Sequence, residues 1–286
     1  MNSHIFLVGF IIYAIAMIWL GWFVSRNQKS GEDFLLGGRS LPLFLTLGST
    51  VATMVGTGSS MGAVGFGYSN GWAGMLYGVG GAVGILLVAW LFAPVRKLRF
   101  MTMSEEISYY TGGSHLIKNI VGLMIFIASI GWLGAHILGG SMYLAWATGI
   151  DLTVAKLIIA LAFAIYVIIG GYSAVVWTDT IQALILFFGF ILMAILAVVH
   201  VGGWSAIEQA MDPKAMSLFA IDKMGVLPAL SLALVIGVGV LATPSYRQRI
   251  YVGKDVPSVR RSLLLLGCYI CSSRFCLPLS AWRRSP

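Results

Sequence analysis

Residues Phe44 to Gly67 read FLTLGSTVATMVGTGSSMGAVGFG, and how this stretch winds decides the fold. It exceeds the roughly 20 apolar residues that a bilayer crossing needs. It carries no charge, yet Gly48, Gly56, Gly58, Gly62, Gly65 and Gly67 alternate with Thr46, Ser49, Thr50, Thr53, Thr57, Ser59 and Ser60. A lipid-facing helix favours Leu, Ile and Val, and each glycine weakens a helix by roughly 1 kcal/mol relative to alanine. Hydroxyls and unpaired carbonyls are tolerated at membrane depth only inside protein or beside water. One reading is therefore a buried, partly unwound membrane helix whose backbone oxygens and hydroxyls face a cavity. Membrane carriers hold ions in such broken helices. The other reading is a tightly packed helix with small residues at an interface. GSSMG (58–62) and GYSNG (67–71) supply the G-x-x-x-G spacing for it. The stretch by itself leaves both open.

The rest of the chain puts this stretch in a membrane. Of its 286 residues 59% are apolar and only 10% charged, and its mean hydropathy is +0.92. Soluble domains run near 25% charged. Apolar runs cover 5–24, 44–67, 73–93, 117–147, 153–170, 173–200, 226–244 and 262–281. A net charge of +8 would point to nucleic acid in a soluble protein. Here the basic residues gather in alternate loops, so the expected partner is membrane lipid and not nucleic acid. Arg26, Lys29 and Arg39 lie in 25–43. Arg96, Lys97, Arg99 and Lys118 lie in 94–118. Arg247, Arg249, Lys254, Arg260 and Arg261 lie in 245–261. The positive-inside rule makes these loops cytoplasmic and puts the N-terminus outside. Ile5 to Val24 is too long for the core of a signal peptide and lacks a basic leader, so it reads as a first spanning helix.

Gly170-Gly171 is predicted to make a tight turn between two antiparallel spans. The segment 201–225 is predicted to lie outside, with a short helix near Trp204 to Met211 that Asp212-Pro213 ends. Run 117–147 would be about 46 Å long at 1.5 Å per residue, longer than a bilayer core, so it should tilt or protrude.

Few groups could carry chemistry. Cys268, Cys271 and Cys276 lack a fourth ligand and a nearby His, so they do not make a zinc site. GYSNG fits G-x-S-x-G, but it follows a membrane helix instead of a strand, and turn chemistry explains it. No nucleophile–base or metal cluster stands out, which argues against a membrane-embedded enzyme. Asp179 is the one carboxylate at membrane depth, and a charge there is a functional candidate. It offers hard oxygen ligands for a cation, with Gln182 one turn on. On spacing alone it could equally be a helix N-cap with Gln182 as the partner of a capping box. His136 reads as a hydrogen-bonded core residue or a proton relay. Trp72, Tyr77, Trp90, Tyr143 and Trp146 fall near span ends, as in an aromatic belt.

Three segments together resemble the sodium:solute symporter family of proline, pantothenate and sugar symporters. The first is DFLLGGRSLP (33–42), before the first core helix. The second is GGYSAVVWTDTIQ (170–182). The third is PSYRQR (244–249). The resemblance implies an all-α polytopic membrane protein with an inverted-repeat, five-plus-five helix fold and one extra leading helix. On that pattern 1–43 is the leading helix and loop, 44–200 the first repeat, 201–225 an external loop, and 226–266 the start of the second repeat. Residues 267–286 form an atypical tail, with Arg274 inside its apolar run, that reads either as a frameshifted or truncated end or as a weakly apolar last helix packed against others.

The resemblance further implies Na+ as coupling ion and a small organic solute as cargo. The Na+-ligating carbonyls fall on Ala52 and Val55, the acidic residue of Na+ coupling on Asp179, and a substrate contact on Ser59. Met54 stands where proline-type members carry Asp, which disfavours proline. A Ser/Thr pair that completes the sodium site belongs to an eighth core helix beyond these residues. The chain is thus expected to be an N-terminal portion of a bacterial cytoplasmic-membrane carrier and inactive alone, with a nonfunctional fragment as the alternative.

Overall fold

A computed structural model describes residues 3–26 and 30–274, with the side chains of 3–4, 57–59 and 268–274 outside the description. The side chains of Cys268 and Cys271, and all of Cys276, Lys29 and residues 275–286, therefore lie outside it. The described residues are helical apart from turns and one isolated parallel bridge, Leu41 with Gly253.

In chain order the helices are α1 (Ser3–Ser25), α2 (Gly31–Leu36), α3 (Leu43–Met54), α4 (Thr57–Asn70), α5 (Leu76–Leu91), α6 (Met103–Tyr110) and α7 (His115–Thr148). They continue with α8 (Leu152–Val201), α9 (Trp204–Ala210), α10 (Pro213–Met216), α11 (Ile221–Met224), α12 (Val226–Ala242), α13 (Pro244–Val252) and α14 (Val256–Arg274). By length and apolarity Ile5–Ser25, Ser60–Leu91, His115–Thr148 and Leu152–Val201 can each cross a membrane. Their large apolar side chains, among them Ile12, Trp19, Leu123, Trp132, Ile168 and Phe188, are exposed where lipid would lie.

Two of these segments fold back on themselves. Gly171 interrupts α8 with φ 56° and ψ −163°, a backbone that side-chain-bearing residues avoid. Tyr166 and Thr178 share a hydrogen bond across the interruption. Twelve residues of straight helix would separate them by about 18 Å, so the chain reverses at Gly170-Gly171 as its sequence suggests. Ser25 of α1 donates to the Gly170 carbonyl and ties the leading helix to this reversal. In Ser60–Leu91 the chain turns through the 3-10 segment Gly71–Met75, and Phe66 meets Tyr77 edge-on at 5.8 Å.

The stretch 44–67 supports both of its readings, each in a different half. It is not one helix: α3 ends at Met54, Val55 has φ −98° and ψ 63°, and α4 starts at Thr57. The α3 half is a close-packed interface. A Cβ on Gly48 would fall 2.4 Å from Thr180 Oγ1 and 2.7 Å from Thr180 Cα on α8. Several hydroxyls also differ from the cavity-facing picture. Thr46, Thr50, Thr53 and Ser60 donate to the carbonyl four residues before them, which satisfies the hydroxyl inside the helix. The G-x-x-x-G spacing of Gly58–Gly62 makes no comparable contact at Gly62, where a Cβ would meet nothing within 4 Å.

A second interrupted span lies further on. α12 and α13 pass as one apolar span but bend by 48° at Thr243. Pro244 opens α13 and cannot donate the backbone hydrogen bond that would continue α12. The largest apolar core joins Val51 and Met54 of α3, Ile85 and Val88 of α5, Tyr246 and Ile250 of α13, and Leu263 and Leu266 of α14. α9 ends at Ala210, just before Asp212-Pro213, as expected. α2 and α6 were not expected as helices. Ser30 and Asp33 form a capping box at the start of α2, and Thr102 caps α6.

The α3–α8 contact predicts opposite outcomes for two glycines. Gly48→Ala should destabilise by about 1–3 kcal/mol, because backbone must shift to admit the methyl. Gly62→Ala should be neutral or stabilising by roughly 0.5–1 kcal/mol, since alanine is the better helix former. Thermal unfolding in detergent checks this, and equal midpoints for the two variants would refute the close packing at Gly48.

Candidate functional site

Where α3, α8 and α13 meet, a charged cluster sits inside the protein. Ser49 of α3 donates to Asp179 Oδ2 of α8 at 2.7 Å. Arg249 of α13 donates through Nη2 to Ser49 Oγ at 2.8 Å, to Thr53 Oγ1 at 2.6 Å and to the Ser49 carbonyl at 3.4 Å. The same nitrogen lies 3.7 Å from Asp179 Oδ2, and the two side chains are only 9% and 18% exposed. Four oxygens thus surround one cationic nitrogen: a carboxylate, two hydroxyls and a backbone carbonyl. Oxygens of this kind suit a hard cation. The Tyr172 ring faces Arg249 at 5.7 Å, and its hydroxyl is buried without a hydrogen-bond partner, as is Arg249 Nε.

Helix geometry explains how this chain brings the groups together. Ser49 and Thr53 are four residues apart, so they share one face of α3. Arg247 and Arg249 are two apart, so they leave α13 in different directions. Arg249 turns to Asp179. Arg247 lies over the Phe92 ring and pairs with the buried Glu106 at 3.0 Å, and Tyr251 also donates to Glu106.

Asp179 is not an N-cap. It lies inside the second arm of α8, with helix continuing on both sides of it. Gln182 does not reach back to close a capping box and instead donates to Tyr13 of α1 at 2.7 Å. The cap reading fails because the helix begins at the Gly171 reversal, well before Asp179.

The other expected site residues cluster around the break in 44–67. Ala52 and Val55 are half-buried, Ala52 in the last turn of α3 and Val55 at the break itself. Ser49, where Asp179 touches α3, precedes Ala52 by three residues, or about 4.5 Å of helix rise. Asp179 therefore meets the stem of the broken helix, nearer the basic loops than the break is. Ser59 belongs to the first turn of α4, and its side chain lies outside the described residues. Met54 is buried in the apolar core. His136 of α7 sits against the break: a Cβ on Gly56 would fall 3.0 Å from its Nε2, and its Nδ1 is buried without a partner.

Arg249 was not read from the sequence as the partner of Asp179. Its signal was a basic residue closing an apolar span, two positions from a second arginine. Glu106 gave no signal, because its partners come from a helix about 140 residues away.

Residues 34–273 match the family model described as the sodium:solute symporter family. Solute carrier family 5 member 4A of Mus musculus is 30% identical over 209 residues, which is 73% of this chain and 32% of that protein. The sodium/proline symporter of Salmonella typhimurium is 30% identical, over 73% of this chain and 43% of its own length. The sodium/glucose cotransporter of Vibrio parahaemolyticus is 33% identical, over 70% and 38%. The chain thus spans less than half the length of these relatives. A solved structure of a Na+-coupled sialic acid symporter superposes with a TM-score of 0.77 at 23% identity, covering 99% of this chain and 61% of that one. That likeness establishes the transporter fold.

The cluster predicts energetic coupling between two charges. Asp179→Asn and Arg249→Gln should each lower the unfolding midpoint, since each leaves a shielded charge without its opposite. The double variant should lose less than the sum of the two, with a coupling of about 0.5–3 kcal/mol. Strictly additive losses would show that the charges do not sense one another.

Proposed function

The chain belongs to the sodium:solute symporter family, and from that premise we propose that it forms part of a carrier driving a small organic solute across the bacterial cytoplasmic membrane with Na+. It would work as a transporter and not as an enzyme. The observation that carries this reading is the interrupted helix 44–67, whose stem presents Ser49 to Asp179 and Thr53 to Arg249. A break at Val55–Gly56 turns backbone oxygens of the last α3 turn away from continuous helix. The carbonyls of Ala52 and Val55 are the proposed Na+ ligands there, and Ser59 on the far side of the break is the proposed solute contact.

Asp179 has a distinct task in this scheme. Its charge lies about one turn nearer the basic loops than Ala52 does. It attracts the cation along the stem, and Arg249 competes for the same oxygens. Na+ at the break would favour one arrangement of α3 against α4, and solute would bind the arrangement so selected. Alternating access then follows from rocking of one repeat on the other. The bend between α12 and α13 supports the pairing of two broken helices that such repeats use. We assign the basic loops to the cytoplasm and the N-terminus to the outside on the distribution of Lys and Arg. The solute class follows the relatives, whose names include proline and glucose. Met54, apolar and buried, disfavours proline among them.

Two measurements test the proposal. Trp177 is 41% exposed and two residues from Asp179, so its fluorescence should respond saturably to Na+ and not to choline at constant ionic strength. Asp179→Asn should raise the Na+ concentration for half-saturation on the order of tenfold, the effect of losing about 1.4 kcal/mol. An unchanged titration would remove Asp179 from the cation path. These 286 residues by themselves carry two helices of the proposed cation shell. Vesicles containing them alone are expected to show no solute uptake on a Na+ gradient, and gradient-driven accumulation of a sugar or amino acid would overturn that.

A further inference from the structure

The membrane end that carries the basic loops contains a second charged site, separate from Asp179. Arg96, Lys97, Arg99, Lys254 and Asp255 line an open recess of about 300 Å3. The recess is built from two segments far apart in sequence, the 3-10 turn Ala93–Leu98 after α5 and the link between α13 and α14. Arg96 holds the segments together: it is buried, and its Nε donates to the Gly253 carbonyl. Lys97, Arg99 and Lys254 are exposed around it.

Charge in the recess is unbalanced. Its one acid, Asp255, is already engaged, accepting from the Ser258 N–H at 2.7 Å at the start of α14. Four cations then face one carboxylate, whose charge offsets only one of them. Burial, with the neighbouring Arg39 and Arg99, lowers the Arg96 guanidinium below its ordinary pKa against the opposing pull of Asp255 and Glu32. Arg99 is also held in the left-handed backbone region, at φ 57°, which a side-chain-bearing residue rarely adopts.

The place of the recess selects the anion. It begins directly beyond Leu91, where the α5 span ends. On α5, Val83, Leu86 and Trp90 form an exposed apolar stripe, with Trp90 71% exposed just before the span ends and Leu86 beside Gly267 of α14, the helix that the recess link leads into. Their spacing of three and four residues keeps them on one face. Arg260 and Arg261, exposed on the first two turns of α14, extend the positive surface along the same end. A phosphate with acyl chains attached satisfies the recess and the stripe together; a free phosphate uses only the recess.

We propose that this recess is a binding site for the phosphate headgroup of an anionic phospholipid, with the acyl chains lying along the Val83–Leu86–Trp90 face of α5. Basic pockets at this level of a membrane protein recognise such headgroups. The site is independent of the Na+ reading and does not share residues with it.

The test is native mass spectrometry of the purified chain in detergent, titrated with phosphatidylglycerol and phosphatidylcholine. The wild type should retain phosphatidylglycerol at least tenfold more tightly than phosphatidylcholine. Arg99→Gly and Lys254→Gln should each weaken phosphatidylglycerol about fivefold, the effect of one basic residue near a lipid surface, while phosphatidylcholine binding and helix content stay unchanged. Arg99→Gly keeps the variant series readable, because glycine accepts the left-handed backbone and the chain should fold at least as well. Equal retention of the two lipids by the wild type would overturn the proposal. So would unchanged phosphatidylglycerol binding in both variants, or displacement of the lipid by millimolar inorganic phosphate, which would make the occupant a soluble anion.

Discussion

A carboxylate inside a membrane protein must be shared, and Asp179 is shared among three helices. Lipid offers it nothing, so its charge is offset by Ser49 on one side and Arg249 on the other. That requirement fixes the rotation of α8 about its axis, the register of α3 against it, and the approach of α13. The close contact of Gly48 with Thr180, one residue from each partner of the pair, is the packing counterpart of the same constraint. A larger residue at 48 would move Ser49 away and remove the hydroxyl that bridges Asp179 and Arg249.

The sequence made the helices legible where a local cause was enough. Glycine and β-branched residues at 55–58 weaken helix, and the helix stops there. A Gly-Gly pair between two apolar runs reverses the chain. Asp212-Pro213 ends a short helix. It was less informative where the cause lies across the fold. Serine and threonine in 44–67 look alike on paper, but Thr46, Thr50, Thr53 and Ser60 bond back within their own helix while Ser49 alone of this group reaches Asp179. Only the approach of a second helix distinguishes them.

The charged residues show the same limit more sharply. Local spacing made Asp179 and Gln182 look like a cap, yet the two leave α8 toward different helices, α3 and α1. Charge counting assigned the arginines of 245–261 to a loop. Two of them are instead buried, and each holds a different acid, Glu106 or Asp179. A positive-inside tally registers how many such residues lie at one membrane end. It says nothing of which ones are spent on internal pairs and which remain at the surface for lipid.

The reversal at Gly170-Gly171 bears on how the protein is made. No hydrophilic linker separates the two arms of α8, and Tyr166 is already bonded to Thr178 within a few residues of the bend. Two apolar arms joined by so short a turn suit insertion together as a helical hairpin. α1, emerging from the ribosome earlier, must wait nearby until its Ser25 finds the Gly170 carbonyl. Damage at this bend would therefore appear during biogenesis, as chains with inverted or missing crossings, before any question of ion binding arises.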